Sequence, residues 1–396
     1  MYPFEATNRA LVDKDRRGEL FYYMHEQIVG RYNFERLSNN LPKVERLSNL
    51  RAPIPEGYFP KMDSLVASRA WPGRVSGAVL KDLNRELDQI KLNISDLEGW
   101  RDRFFEAVQQ GFVTDASGNR VVLDEARGID VLGNMMESSI LSPNRQLYGD
   151  LHNMGHVFIS YSHDPDHRHL ESFGVMGDSA TAMRDPVFYK WHAFVDSVFQ
   201  AHKEKLTPYT AEQLNYPGVT IGAIQVQADG GQANTLNTFW QQSDVDLSRG
   251  MDFVPRGNVF ARFTHLQHVP YTISLQVNND SGAQRQGMVR VFMAPKNDNK
   301  GPMAFREQRL MMIELDKFVV ACKIRRQISL INSFDYLYFS FQYVLDKIPF
   351  ADDQENQQLQ FHLSVLSETW TIIVQQLVQL LKNNSTSVAV DGQNIC

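Results

Sequence analysis

The spacing of apolar positions changes character near residue 215 of this 396-residue chain. Upstream, it follows the helical period. Phe21, Tyr22, His25, Ile28, Val29 and Tyr32 recur at three- and four-residue intervals, so DRRGELFYYMHEQIVGRY predicts one helix with a single buried stripe. SGAVLKDLNRELDQI predicts a second helix, with Ser76 as its cap. A third is expected over roughly Asn144 to Ser160. A fourth is expected in RDPVFYKWHAFVDSVFQAH, where Asp185 can cap and Pro186 takes the favoured first helical position. Between the last two, HDPDHRHLESFGVMGDSATAM is rich in Gly, Asp, His and Pro and predicts an ordered loop.

Beyond Tyr216-Pro217 the period turns to two. TIGAIQVQA, GNVFARFTH, YTISLQVNN and GMVRVFMA alternate or run apolar and are rich in β-branched and aromatic residues, with Asn279-Asp280-Ser281-Gly282 as a turn. A helical block followed by a β block, with its boundary at 212–220, predicts sheet packed on sheet for the second. From about Lys323 the alternation weakens. Leu366, Trp370, Ile373, Leu377 and Leu381 fit one amphipathic helix, too short for a membrane span, before the polar ending NNSTSVAVDGQNIC. The expected division is a helical segment over 1–213, a β segment over 214–322 and a tail over 323–396.

Composition narrows the function classes. At 43% hydrophobic, 22% charged and 11% aromatic, the chain has ample apolar surface to bury, which excludes a disordered protein. A net charge of −6 argues against nucleic acid as a partner. Neither a membrane span nor the apolar core of a signal peptide is expected. Cys322 and Cys396 allow one bridge at most, so disulfides do not hold the fold together.

The candidate chemistry lies in histidine. Eleven histidines in this length would give about 0.3 His-x-x-x-His pairs by chance, yet there are two, His152/His156 and His163/His167. The first sits in a predicted helix, where residues four apart project from one face as a transition metal requires. Gly155 between them weakens the helix, a cost compatible with close approach of a neighbouring helix or ligand. The second pair lies in the loop beside two aspartates and reads as solvated. His25 and His192 each point into an apolar stripe. Singly, such a residue is most simply a core histidine, and Asp196, one turn after His192, is either a partner that orients an imidazole or an exposed acid. Taken together, three helices each offer histidine on an apolar face, and imidazoles without cysteine suit copper, zinc or iron. A zinc hydrolase is the weaker reading, because Asn153 stands where a His-Glu-x-x-His motif needs glutamate.

Leu151-His152-Asn153-Met154-Gly155-His156 and the run from Arg184 to Asp196, with its Asp-Pro-x-Phe-x-x-x-His-x-x-x-Asp pattern, resemble the second copper site of the arthropod hemocyanin and prophenoloxidase family. YYMHEQIVGRYNFERLSN, PIPEGYFPK and GNVFARFTHLQHVPYTISLQVNN are similar to the same family, and the resemblance covers about residues 1 to 320. It implies a helical copper-binding domain followed by an incomplete immunoglobulin-like β-sandwich. It also implies His152, His156 and His192 as ligands of the second copper and His25 as a ligand of the first. Asp178 stands in a suitable loop for the carboxylate credited to family enzymes, without being assigned that role. Two further first-site histidines would precede Tyr2-Pro3, so the resemblance implies a first copper site left incomplete here. After Asp316-Lys317-Phe318 the family pattern gives way to KIRRQISLINSFDYLYFSFQYVL. The implied activity is oxidation of mono- and diphenols to quinones for melanin formation in arthropod immunity, with dioxygen and a phenol as partners. An oxygen carrier or a non-catalytic storage protein of the same fold is the alternative. Oligomers and an extracellular place in hemolymph, without a signal peptide, are implied likewise.

Overall fold

A computed structural model describes residues 16–39, 41–60, 71–210, 212, 215–228, 230–234, 238–246, 248, 257–295, 297–298, 300–322, 328–333 and 370–377. Tyr2-Pro3, most of the tail and Cys396 lie outside them. The described residues of Met1–Val29, Val44–Pro60 and Ala70–Thr207 form one compact unit, and those of Gly30–Lys43 and Pro208–Cys396 another. Among them, no helix is long and apolar enough to cross a membrane.

Helix α1 spans Arg17–Ser38, as its stripe predicts, with Phe21, Tyr22 and Val29 buried. Its first turn is satisfied from outside, since Asp130 Oδ1 accepts from the amides of Gly18 (2.8 Å) and Glu19 (3.2 Å). The helix expected from Ser76 is absent. Gly77 has φ +76°, and the segment instead forms a small hairpin of β1 (Leu83–Arg85) and β2 (Ile90–Leu92). The helix begins after it: α2 runs Ile94–Gln110, opened by a reciprocal capping box between Asn93 and Asp96. The short hairpin of β3 (Phe112–Thr114) and β4 (Arg120–Val122) leads into α3, Gly128–Met136.

The single helix expected over 144–160 is two, α4 (Arg145–Tyr148) and α5 (Leu151–Ser160). Gly149 separates them at φ +69°, with the Trp100 indole so close that a Cβ would lie 2.1 Å from it. Helix α6 runs Pro186–Lys203 as predicted, and Asp185 accepts from Val187 N at 3.0 Å. Arg74 forks onto the same carboxylate in a buried ion pair, which holds the start of α6 in place.

The β unit contains β5 (Val219–Ala228), β6 (Thr238–Asp246), β7 (Phe260–His268), β8 (Tyr271–Asn279), β9 (Arg285–Pro295), the two-residue β10 (Asn297–Asp298) and β11 (Gly301–Pro302), β12 (Ile313–Cys322), β13 (Ile328–Ser333) and β14 (Trp370–Leu377). Its main sheets have strand orders β13-β8-β5 and β12-β9-β14. Strict burial alternation along β8 matches the period-two reading. Val226, Tyr271, Ile273, Leu275, Val277, Val289, Val291 and Val320, drawn from both sheets, share one core, so the pair packs as a sandwich. Cys322 is a buried free thiol in that core. The C-terminal amphipathic helix is not what forms over its described part. Trp370–Leu377 is a strand antiparallel to β9, with Trp370 opposite Pro295 and Leu377 opposite Met288. Its opening Trp-Thr-Ile-Ile-Val is β-branched and aromatic, and pairing with β9 outweighs the helical spacing of Trp370, Ile373 and Leu377. Leu366 and Leu381 lie outside the described residues.

Candidate metal centre

Four imidazoles converge inside the helical unit: His25 from α1, His152 and His156 from α5, and His192 from α6. The His192 ring is stacked on His25, centroids 4.4 Å apart and planes within 6°, and lies 5.1 Å from His152 and 5.2 Å from His156. One ring nitrogen from each of His25, His152 and His192 lies within 4.8 Å of the other two. The helices meet closely because Gly155 has no side chain. A Cβ there would lie 2.0 Å from the Trp191 ring, and the Trp191 Nε1 donates to the His152 carbonyl at 3.3 Å. The weak helix residue singled out in the sequence thus marks the crossing of α5 and α6.

Three of the four rings are held by a defined partner outside the cluster. His25 Nδ1 donates to Phe21 O at 2.7 Å and His156 Nδ1 to Met176 O at 2.9 Å. Asn153 gives its amide hydrogens to Glu137 O and Asp150 Oδ1, so its oxygen accepts from His152 Nδ1 at 3.1 Å. The Phe188 ring lies 4.1 Å from His192 and the Phe21 ring 4.4 Å from His25, an apolar lining. Burial lowers the affinity of all four for protons, to a pKa of about 4 for His25 and His156 and well below the ordinary value for His152 and His192. At neutral pH the cluster is uncharged, the state in which imidazole binds metal. His152 Nε2 and His192 Nδ1 are buried without a hydrogen-bond partner. Buried neutral nitrogens without a partner are donors a copper ion can take, so the set fits that metal.

The other candidates lie elsewhere. His163 donates Nε2–H to Ser172 O at 3.0 Å, and His167 sits in a turn at φ +58°. Asp178 ends the short turn that carries Met176, and its Oδ1 accepts from Ala180 N at 2.8 Å. Asp196 is neither an orienting partner of His192 nor an exposed acid. It belongs to a polar network one helical turn further on. There Gln200 Nε2 donates to Tyr22 Oη at 2.9 Å and Asp196 Oδ1 at 3.2 Å, and Tyr22 donates to Glu26 at 2.8 Å. Sequence reasoning missed Asn153, Phe21 O and Met176 O. Asn153 was visible as the neighbour of a candidate ligand, but a carbonyl partner leaves no mark on residue type.

Comparison with known proteins agrees with this geometry. Residues 1–199 match the family described as "Hemocyanin, copper containing domain", and residues 208–365 match "Hemocyanin, ig-like domain". The chain is 70% identical over 322 residues to Phenoloxidase 2 of Drosophila melanogaster, covering 81% of this chain and 47% of that one. It is 61% identical over 319 residues to Phenoloxidase subunit 1 of Bombyx mori, covering 80% and 46%. It thus spans about half the length of the curated relatives it matches. Among solved structures, it resembles a hemolymph type prophenoloxidase from a crustacean at 32% identity and TM-score 0.73, covering 82% of this chain and 52% of that one. A scorpion hemocyanin matches at 39% identity and TM-score 0.70, covering 81% and 50%. The chain belongs to the arthropod hemocyanin and prophenoloxidase family, whose helical domain is the copper-containing one.

Proposed function

We propose that the histidine cluster serves copper-dependent oxidation of mono- and diphenols to quinones, the chemistry that leads to melanin, with His25, His152, His156 and His192 as the residues that gather the metal. The observation that supports it most is the convergence of four uncharged imidazoles, those of His152 and His192 buried and those of His25 and His156 half-buried, in a chain 70% identical over 322 residues to a phenoloxidase. Bound copper would supply one-electron redox chemistry toward dioxygen and the phenol. The protein's part is to keep the imidazoles unprotonated, to fix three of the rings through Phe21 O, Asn153 and Met176 O, and to line the cluster with Phe21 and Phe188 so that a planar aromatic can approach and water is kept away. Function in hemolymph, and assembly with further copies, accompany this reading.

The test is oxygen uptake together with quinone absorbance for the purified, copper-loaded chain and 4-methylcatechol. Quinone should form at about two per dioxygen consumed, because each diphenol yields two electrons and dioxygen takes four. A chelator should abolish it. Reversible oxygen binding without quinone would identify an oxygen carrier instead. The higher identity to the two insect phenoloxidases, 70% and 61%, than to the scorpion hemocyanin, 39%, favours the oxidase.

A further inference from the structure

A cleft of about 400 Å³, the size of a small-molecule site, opens between α2 and α6, and none of the four clustered histidines lines it. Helical spacing builds its walls. Arg101 and Phe105 stand one turn apart on α2, while Phe194 and Ser197 share a face of α6 with Glu204, the residue that caps that helix. The Phe105 and Phe194 rings meet edge to face with centroids 6.5 Å apart, Phe194 buried and Phe105 exposed.

The polar groups of the lining divide by sign. Arg46 is exposed and has no ion pair among the described residues. Arg101 donates from Nε to Asp102 Oδ1 at 2.8 Å and from Nη1 to Ser48 O at 3.3 Å, which fixes its guanidinium at the wall. These two offer positive charge and N–H donors. Ser197 and Glu204 offer the reverse. The Ser197 hydroxyl has given its hydrogen to Phe194 O at 2.6 Å, so toward the cleft it can only accept. Glu204 brings a carboxylate to the end of α6, where the last carbonyls add negative potential.

We propose that this cleft binds a free aromatic α-amino acid, its carboxylate toward Arg46 and Arg101, its ammonium toward Ser197 and Glu204, and its ring against Phe105 and Phe194. A purely anionic ligand would meet Glu204, and a purely cationic one would meet two guanidiniums. The zwitterion answers both charges, and the ring pair selects its side chain. The site is separate from the metal centre and needs no copper to be filled.

The experiment is isothermal titration calorimetry of the purified 396-residue chain with L-phenylalanine, which has no phenol to be oxidised. One molecule should bind per chain. 3-Phenylpropanoate lacks the ammonium, phenethylamine lacks the carboxylate and L-alanine lacks the ring, so each should bind about tenfold more weakly or worse. Arg46→Gln should weaken phenylalanine about tenfold and Glu204→Gln about fivefold, and both residues are exposed, so neither change threatens the fold. His152→Ala, at the metal centre, should leave the affinity within about twofold of wild type. Loss of binding in His152→Ala with Arg46→Gln unaffected would place the ligand at the histidines and overturn the proposal. Equal binding of 3-phenylpropanoate would overturn the amino-acid assignment, and a folded wild-type chain that takes up no phenylalanine would overturn the site itself.

Discussion

Helices α1 and α6 carry two polar clusters a single turn apart, and the two solve burial in opposite ways. In the network of Tyr22, Glu26, Asp196, Gln200 and Lys203, the hydrogen bonds close on one another: Gln200 bridges Tyr22 and Asp196, Tyr22 reaches Glu26, and Lys203 approaches Tyr22 Oη at 3.4 Å. In the histidine cluster, partners outside it fix the rings of His25, His152 and His156, while His152 Nε2 and His192 Nδ1 stay bare. A closed network holds helices together, whereas a set of converging lone pairs costs stability and is suited to a ligand. The difference separates structural polarity from functional polarity on the same two helices.

Acid should expose that difference most strongly. The folded state holds its four imidazoles neutral, so between their lowered values and about 6.5 the unfolded chain binds more protons. Their contribution is fully present above about pH 6.5 and lost as pH falls toward about 4, a drop of several kcal/mol in the metal-free chain. Asp196 runs the other way. Its carboxyl, pushed up to about 7 by desolvation and the nearby Glu26, stabilises at low pH and loses that contribution as pH rises through about 7. The four bases should outweigh the one acid, and urea unfolding of metal-free protein from pH 4 to 8 checks this. Stability that stays flat below pH 6.5 would contradict the account.

Substitutions sharpen the comparison. Gln200→Leu removes the bridge of the closed network and should cost about 3 kcal/mol in chemical denaturation, since it takes the amide donor away from the Asp196 carboxyl and unlinks it from Tyr22. Asn153→Leu frees the His152 tautomer and should weaken copper affinity about tenfold by metal titration. His152→Leu should cost only about 1 kcal/mol of metal-free stability, because of its two ring nitrogens Nε2 has no partner and only the Nδ1 bond to Asn153 is lost, while copper uptake falls sharply. If His152→Leu proved as damaging as Gln200→Leu, the two clusters would not differ in kind.

The legible parts of the sequence were those that follow a local rule. Asp185-Pro186 announced α6, the alternation of YTISLQVNN announced β8, and the four-residue spacing of His152 and His156 placed both on one helix face. The Asn93–Asp96 capping box was equally local, but an apparent amphipathic stripe starting at Ser76 obscured it and with it α2. Residues 370–377 misled because a four-residue apolar spacing fits a helix, while pairing with β9, some eighty residues earlier in the chain, makes a strand. The partners that orient the imidazoles were beyond reach. They include the carbonyls of Phe21 and Met176, and every residue has a carbonyl.

The tight crossing at Gly155 has an optical consequence. Trp191 is fully buried against that glycine and bonded to the backbone of a copper-ligand candidate, so its indole should emit at short wavelength from a dry environment. A paramagnetic ion held by the neighbouring imidazoles would quench that emission. The intrinsic fluorescence of Trp191 can therefore report occupancy of the cluster in real time, without a dye or a label.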